Sequence, residues 1–374
     1  MRALLRALTP GWAALRAAAP GVLIAVALAV LARGVAQGLA QGAAGLPKFP
    51  LSPVMCAVTL GMLWRNTLGV PAWATSGLSW AMHRLLRVGI ALVGLRLTLG
   101  GAGTIAVTAL PVALGCLTVA LLAGLGIARL LAVPRRLGVL LAVGTAVCGC
   151  TAVVAMSPVI RARHAETAFA VSCVVLFGCI AMLLYPWVAG HVLAASPVHA
   201  GIFLGTAIHD TSQVIGAALI YSQQSDAPAA LAAASVAKLL RNLSIAVLIP
   251  VAAWLAQRHP PRDGEARERS AAAPGARAPL VPLFVLAFVG CIALRSAGDA
   301  AFQPAAPLWH ALVNTGYSAS DLFLTCGMTA VGLSVSFADM WRIGWRPLAA
   351  GLAVATLVGA CSLLLTGGLL HLLH

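Results

Sequence analysis

The chain has 374 residues, of which 61% are hydrophobic and only 9% charged, against about a quarter charged in ordinary soluble domains. A soluble domain of this length cannot hide so much apolar surface, and long apolar runs recur along the chain, so the sequence predicts an all-α polytopic membrane protein. The net charge of +15 does not point to nucleic acid: there is no basic stripe interleaved with aromatics, and most arginines fall in short loops between apolar runs, the pattern that orients membrane proteins.

Eleven apolar segments are predicted as transmembrane helices, at approximately 20–40, 50–64, 79–98, 103–128, 137–160, 166–187, 199–221, 229–256, 280–297, 308–336 and 345–371. The first is as long as a full span and is read as a retained extra helix rather than a cleaved signal. Residues 257–279, "QRHPPRDGEARERSAAAPGARAP", are the one long polar stretch and read as a flexible cytoplasmic linker. Arg2, Arg6 and Arg16 put the N-terminus inside, and Arg129, Arg135, Arg136, Arg342 and Arg346 follow the same count, leaving the C-terminus outside. Arg161, Arg163 and His164 fall on the far side and run against it, partly offset by Glu166.

Segment three contains "HRLLRVGIALVGLRLTLGG". His83, Arg84 and Arg87 read as interface anchors, and Arg96 lies deeper. Segment five carries small and polar residues at its middle: Thr145, Cys148, Gly149, Cys150, Thr151 and Ser157. Segment ten carries "CGMTAV" at 326–331, five of six positions identical to "CGCTAV" at 148–153, at an offset of 178 residues. Two halves of five helices, 50–187 and 199–371, are therefore predicted as inverted repeats within a single transporter domain spanning 1–374. The fourth helix of each half, segments five and ten, is expected to be broken, and the two to cross. In that arrangement Thr145, Cys148, Gly149, Cys150 and Thr151 face Cys326, Gly327 and Thr329. A break leaves backbone groups without helical partners, tolerated in lipid only inside protein or beside a wet cavity. Its amide ends attract an anion and its carbonyl ends a cation.

Segment seven, "GIFLGTAIHDTSQVIGAALIYS", is interrupted by Thr206, His209, Asp210, Thr211, Ser212 and Gln213. Asp210 is the acid placed deepest in a span, and ionisable groups at that depth read as functional. On a continuous helix His209 and Gln213, four apart, share a face. Segment eight places Lys238, one of two lysines in the chain, three residues before Arg241 inside an apolar helix. The pair is expected either to meet Asp210 or to bind an anionic substrate. The nine cysteines lie in apolar runs and read as small hydrophobes rather than a disulfide set. No P-loop, GxSxG or HExxH motif is present, so neither an enzyme nor a metal site nor a cofactor is expected.

The stretches "LLRVGIALVGLRLTLGG", "VGTAVCGCTAVVAMSPVIRA", "GTAIHDTSQVIGAA", "KLLRNL" and "MTAVGLSV" resemble, in order, those of the bacterial sulfate exporter family. That family's first motif, similar to G-x-x-x-C-G-x-x-A-V, is met by Gly144, Cys148, Gly149, Ala152 and Val153. Its second, usually His-Glu followed by Gln, is met by His209, Asp210 and Gln213, with Asp for Glu as a departure that shortens the carboxylate's reach. Lys238 and Arg241 meet its Lys-x-x-Arg pair. The resemblance implies the architecture of sodium–proton antiporters and bile-acid symporters. It also implies export of sulfate or a related anion across the bacterial inner membrane, and leaves the coupling ion, proton or sodium, open. The expected partners are a small anion, the lipid bilayer and, as an option, a second copy in a homodimer. Rival functions are a cation–proton antiporter or sodium-coupled organic anion symporter on the same fold, and a membrane thiol-redox or sensor protein using Cys148 and Cys150.

Overall fold

The computed structural model describes residues 12–40, 52–244, 247–248, 251, 283–302, 307–336, 338 and 345–373. The regular structure among the described residues is all helix, and each of the eleven apolar segments carries helix. In chain order these are α1 (Trp12–Ala40), α2 (Pro53–Thr67), α3 (Ala72–Arg96), α4 (Leu99–Leu130), α5 (Arg135–Ala146), α6 (Cys150–Val159), α7 (His164–Val192), α8 (Pro197–Ala207), α9 (Thr211–Ser225), α10 (Pro228–Leu243), α11 (Leu283–Ala301), α12 (Pro307–Ser334) and α13 (Trp345–Leu373). Five of them are long and apolar enough to cross a membrane: α1, α3, α4, α7 and α13. The linker at 257–279, Arg2, Arg6 and Arg342 lie outside the described residues.

Two compact units form. One holds α1, α2, α3, α12 and most of α11; the other holds α4 to α10 and α13. Each draws helices from both halves of the chain. In the first unit, close helix approach is made by glycine. A β-carbon on Gly77 would lie 2.1 Å from the Ala18 carbonyl, and one on Gly332 would lie 2.4 Å from that of Val58. Small residues allow such contacts in a medium that gives apolar side chains no reason of their own to associate.

Segment five breaks as expected. α5 ends at Ala146, and Gly149 takes φ +64 and ψ −124 before α6 begins at Cys150. Segment ten does not break. α12 runs unbroken from Pro307 to Ser334 through Cys326, Gly327 and Thr329, correcting the expectation drawn from the repeated motif. The reason is local. The Thr329 hydroxyl donates to the Thr325 carbonyl one turn back (3.0 Å), and Gly327 gives its space to α3: a β-carbon there would sit 2.4 Å from Leu86 Cγ. The small residues of segment ten serve packing.

The second break lies in segment seven instead. α8 ends at Ala207, Ile208 and His209 are not helical, and α9 starts at Thr211 with Asp210 as its N-cap. The sequence carries the cause: Asp210 Oδ1 accepts from the Ser212 amide (2.9 Å) and from the Ser212 hydroxyl. An Asp that caps a new helix competes with continuation of the old one. His209 and Gln213 consequently share no helix face, because the chain turns between them.

Candidate functional site

Both breaks lie in the second unit, and α10 joins them. α10 packs closely on α8: a β-carbon on Gly201 would lie 2.4 Å from the Ala230 carbonyl, and one on Gly205 would lie 2.6 Å from that of Ala234. This approach runs Lys238, one turn beyond Ala234, to the point where α8 ends. Lys238 and Arg241 are 0% and 1% exposed, and neither forms an ion pair with Asp210 among the described residues.

Their donors go to backbone. Lys238 Nζ donates to the carbonyls of Val147 (2.8 Å), Ile208 (3.1 Å) and His209. Arg241 Nε donates to the Ala146 carbonyl (3.1 Å), and Nη2 to those of Thr145 (2.6 Å) and Ala146 (2.7 Å). Its Nη1 donates to the carbonyls of Thr206 and Ile208 (3.4 Å). An ammonium has three N–H groups and a guanidinium five, so both side chains are saturated. The carbonyl ends that a helix break exposes are thus satisfied by the protein's own cations, and the last turns of α5 and α8 are tied together.

The amide ends meet a carboxylate. Asp210 caps α9, and its side chain also lies against Gly149, the residue before α6: a β-carbon on Gly149 would come 3.0 Å from Asp210 Oδ2. One carboxylate therefore stands at two helix N-termini, where a negative charge is favoured. Around it Cys150, Thr211 and Ser212 are half-buried and Thr151 is exposed, while Cys148 is buried.

The remaining segment-seven residues are pinned. The Thr206 hydroxyl is shared with Ile202 O (2.7 Å) and Ser362 Oγ on α13 (2.7 Å). Gln213 Nε2 donates to the Val175 carbonyl (3.0 Å) and Cys179 Sγ (3.4 Å) on α7. Gly178 makes room for that amide, since a β-carbon there would lie 1.8 Å from Gln213 Oε1. His209 differs: it is 1% exposed, and neither ring nitrogen has a hydrogen-bond partner among the described residues.

The structure therefore brings together Thr145, Cys148, Gly149, Cys150, Thr151, Thr206, His209, Asp210, Ser212, Gln213, Lys238 and Arg241 in one unit. Cys326, Gly327 and Thr329 belong to the other, on an unbroken helix. Among the described residues no three His, Cys, Asp or Glu side chains are grouped to hold a metal ion, and all nine cysteines are free thiols.

The profile of the family described as "Conserved hypothetical protein 698" matches residues 20–351, which include both breaks and α10. The chain belongs to this family. Among its relatives is a UPF0324 membrane protein of Ralstonia nicotianae, 34% identical over 311 residues that cover 80% of each chain. A UPF0324 membrane protein of Bacillus cereus is 30% identical over 302 residues, covering 81% of this chain and 80% of the relative. One from Bordetella bronchiseptica is 33% identical over 315 residues, covering 82% and 90%. No solved structure matches the chain. Apolar helices and relatives named as membrane proteins agree that this is a bacterial membrane protein.

The first unit holds a polar network of its own, which sequence reasoning missed apart from Arg96. Arg96 pairs with Asp321 (2.9 Å), midway along α12, and its guanidinium lies 5.0 Å from the centroid of the Tyr317 ring. Tyr317 Oη accepts from Arg295 (2.6 Å) and donates to the Leu95 carbonyl (3.2 Å). Asp299 accepts from Arg295 Nε (2.7 Å) and Trp309 Nε1 (2.9 Å). Two arginines and two aspartates balance in charge, and the end of α3 is held by side chains of α11 and α12. The signal for it was an acid inside a long apolar helix, the same signal that marked Asp210.

Proposed function

We propose that this protein is a secondary transporter that moves a small inorganic or sulfonated anion, of the sulfate type, outward across the bacterial cytoplasmic membrane by alternating access. In this reading the eleven apolar segments are eleven spans, the N-terminus lies inside and the C-terminus outside. The protein performs no chemistry on its cargo. The observation that carries the reading is the paired break, α5–α6 and α8–α9. Non-helical backbone at membrane depth is expensive and is retained where it serves a binding site. Here two breaks share one side-chain clamp, Lys238 and Arg241, whose surplus positive charge favours an anion over a cation as cargo. The resemblance of the motifs to sulfate exporters supports the same class. Asp210, at the two amide ends, is the group to which a coupling proton or sodium ion binds.

The test is flux of labelled sulfate, and of small sulfonates, into proteoliposomes bearing the full chain, under imposed proton and sodium gradients. Flux above empty vesicles is expected for at least one of these anions. Its absence under every gradient, together with sodium-dependent proton movement, would turn the assignment to a cation–proton antiporter centred on Asp210.

A further inference from the structure

His209 is a buried imidazole with no hydrogen-bond partner among the described residues. A buried unpaired polar group costs stability, and among the described residues neither ring nitrogen of His209 is paired. The ring borders a crevice in the second unit whose other walls include Thr145, Cys173, Val174, Phe177 and Gly351, and which has no room for a water molecule. Phe177 closes it: a β-carbon on Gly351 would lie 2.8 Å from Phe177 Cε2. The polar end of the crevice offers an imidazole N–H, a hydroxyl and a thiol as donors. The rest is apolar.

The charge around this polar end is unbalanced. Lys238 holds the backbone carbonyl of His209, and Arg241 holds that of Thr145, so both cations back the two polar walls of the crevice. Their donors are consumed, so they act through their field alone. Each helix carboxyl end carries about half a negative charge, so the ends of α5 and α8 together cancel about one of the two positive charges. On the amide side Asp210 offsets the two positive ends of α6 and α9 by the same count. A surplus of about one positive charge remains beside His209, buried and away from water, where charge is otherwise paired.

On the reading that the broken helices hold an anion, we infer that His209 is the group that touches it, and that the ligand is a singly charged oxyanion carrying a short apolar group. The imidazole N–H donates to an anion oxygen, Thr145 Oγ1 lies on the same wall, and the apolar part of the ligand replaces the Phe177 ring against Val174 and Gly351. The rotation of Phe177 off Gly351 opens the crevice. The other apolar walls, Leu141, Cys173, Val174 and Gly351, are smaller than the Phe177 ring and belong to packed helices, which leaves them less freedom. A doubly charged ion such as sulfate over-compensates the surplus and leaves the apolar wall unused.

The test is calorimetric titration of the full chain in lipid nanodiscs with ethanesulfonate, propionate and inorganic sulfate, for the wild type, His209→Gln and His209→Leu. The wild type is expected to bind ethanesulfonate or propionate at least tenfold more tightly than sulfate, and the preferred head group tells sulfonate from carboxylate. His209→Gln, which keeps a donor, should retain part of that affinity, and His209→Leu should lose tenfold or more. The ligand-free melting temperature of His209→Leu should not fall, because no hydrogen bond is lost. Wild-type affinity for the organic anions in His209→Leu would overturn the contact assignment and leave anion transport standing. Tighter binding of sulfate than of either organic anion would overturn the single-charge assignment. Failure of the wild type to bind any of the three, with no anion flux in vesicles, would overturn both readings.

Discussion

Gly149 and Asp210 meet where α6 and α9 begin, and the fit leaves no space for a side chain: a β-carbon on Gly149 would lie 3.0 Å from Asp210 Oδ2 and 3.1 Å from Asp210 Cα. The backbone of Gly149 is also in a left-handed region, φ +64 and ψ −124, that costs other residues about 1–3 kcal/mol. Gly149→Ala is therefore expected to lower the melting temperature of the purified protein and to abolish anion flux. Gly126→Ala is the control, since a β-carbon there meets nothing within 4 Å. Equal melting and flux for the two variants would contradict the close approach.

Lys238 and Arg241 hold carbonyls, and their removal has a calculable consequence. Lys238→Met leaves the carbonyls of Val147 and His209 without their donor, at about 1–3 kcal/mol for each that finds no other partner, whereas that of Ile208 keeps Arg241 Nη1. Arg241→Lys preserves the charge but not the fork that reaches Thr145, Ala146, Thr206 and Ile208 at once, so it is not conservative here. Both variants should melt below the wild type without anion; the deficit of Arg241→Lys should stay similar when anion is added, whereas that of Lys238→Met should grow, because it also removes the surplus charge. A loss confined to anion binding, with unchanged melting, would make the pair substrate ligands rather than a clamp.

A helical membrane protein was legible because long hydrophobic runs follow directly from the bilayer's thickness, and five helices of the described residues have that length and apolarity. The first break was legible as well, because "VCGCT" concentrates small and polar residues at mid-segment. The second break was present in the sequence as Asp210 with Thr211 and Ser212 behind it, a helix-start signal. It was read instead as polar residues along one helix, because the stronger likeness between 148–153 and 326–331 drew the second break to segment ten. Six residues do not decide between a break and a packing seam: Gly149 faces Asp210, whereas Gly327 faces Leu86, and what a glycine faces is a tertiary fact. The depth of Lys238 and Arg241 was visible, but their partners are backbone carbonyls, which leave no mark in a sequence. The pairing of Arg96 with Asp321, 225 residues apart, is equally silent.

The thiol reading of Cys148 and Cys150 makes an opposite prediction to the transporter reading. Both are free, Cys148 is buried and Cys150 half-buried. Replacing either by alanine removes a small apolar group at a cost of about 1 kcal/mol. The double variant Cys148→Ala/Cys150→Ala should keep its fold and most of its anion flux, unchanged by added reductant. Cys148→Ser should be worse than Cys148→Ala, since a hydroxyl at that depth needs a partner a thiol does not. Complete loss of function in the double alanine variant, with normal melting, would revive the redox alternative.

Asp299, beyond the ninth apolar segment, gives a pH dependence with a defined sign. Hydrogen bonds from Arg295 and Trp309 hold its carboxyl below the ordinary value of 3.8. A carboxyl whose folded pKa is lowered stabilises the fold fully above its unfolded pKa. That contribution is lost as the pH falls through the folded value. The wild type should therefore lose stability on acidification below about pH 4, whereas Asp299→Asn, which keeps an acceptor for the Trp309 indole but has no charge to lose, should show a shallower acid slope. The side chain is 34% exposed, so the difference should stay below about 1 kcal/mol and shrink in high salt. Thermal melts of the two proteins from pH 7 to pH 3, at low and high ionic strength, measure it. Parallel acid slopes at low salt would mean that the Arg295–Asp299 contact does not form in solution.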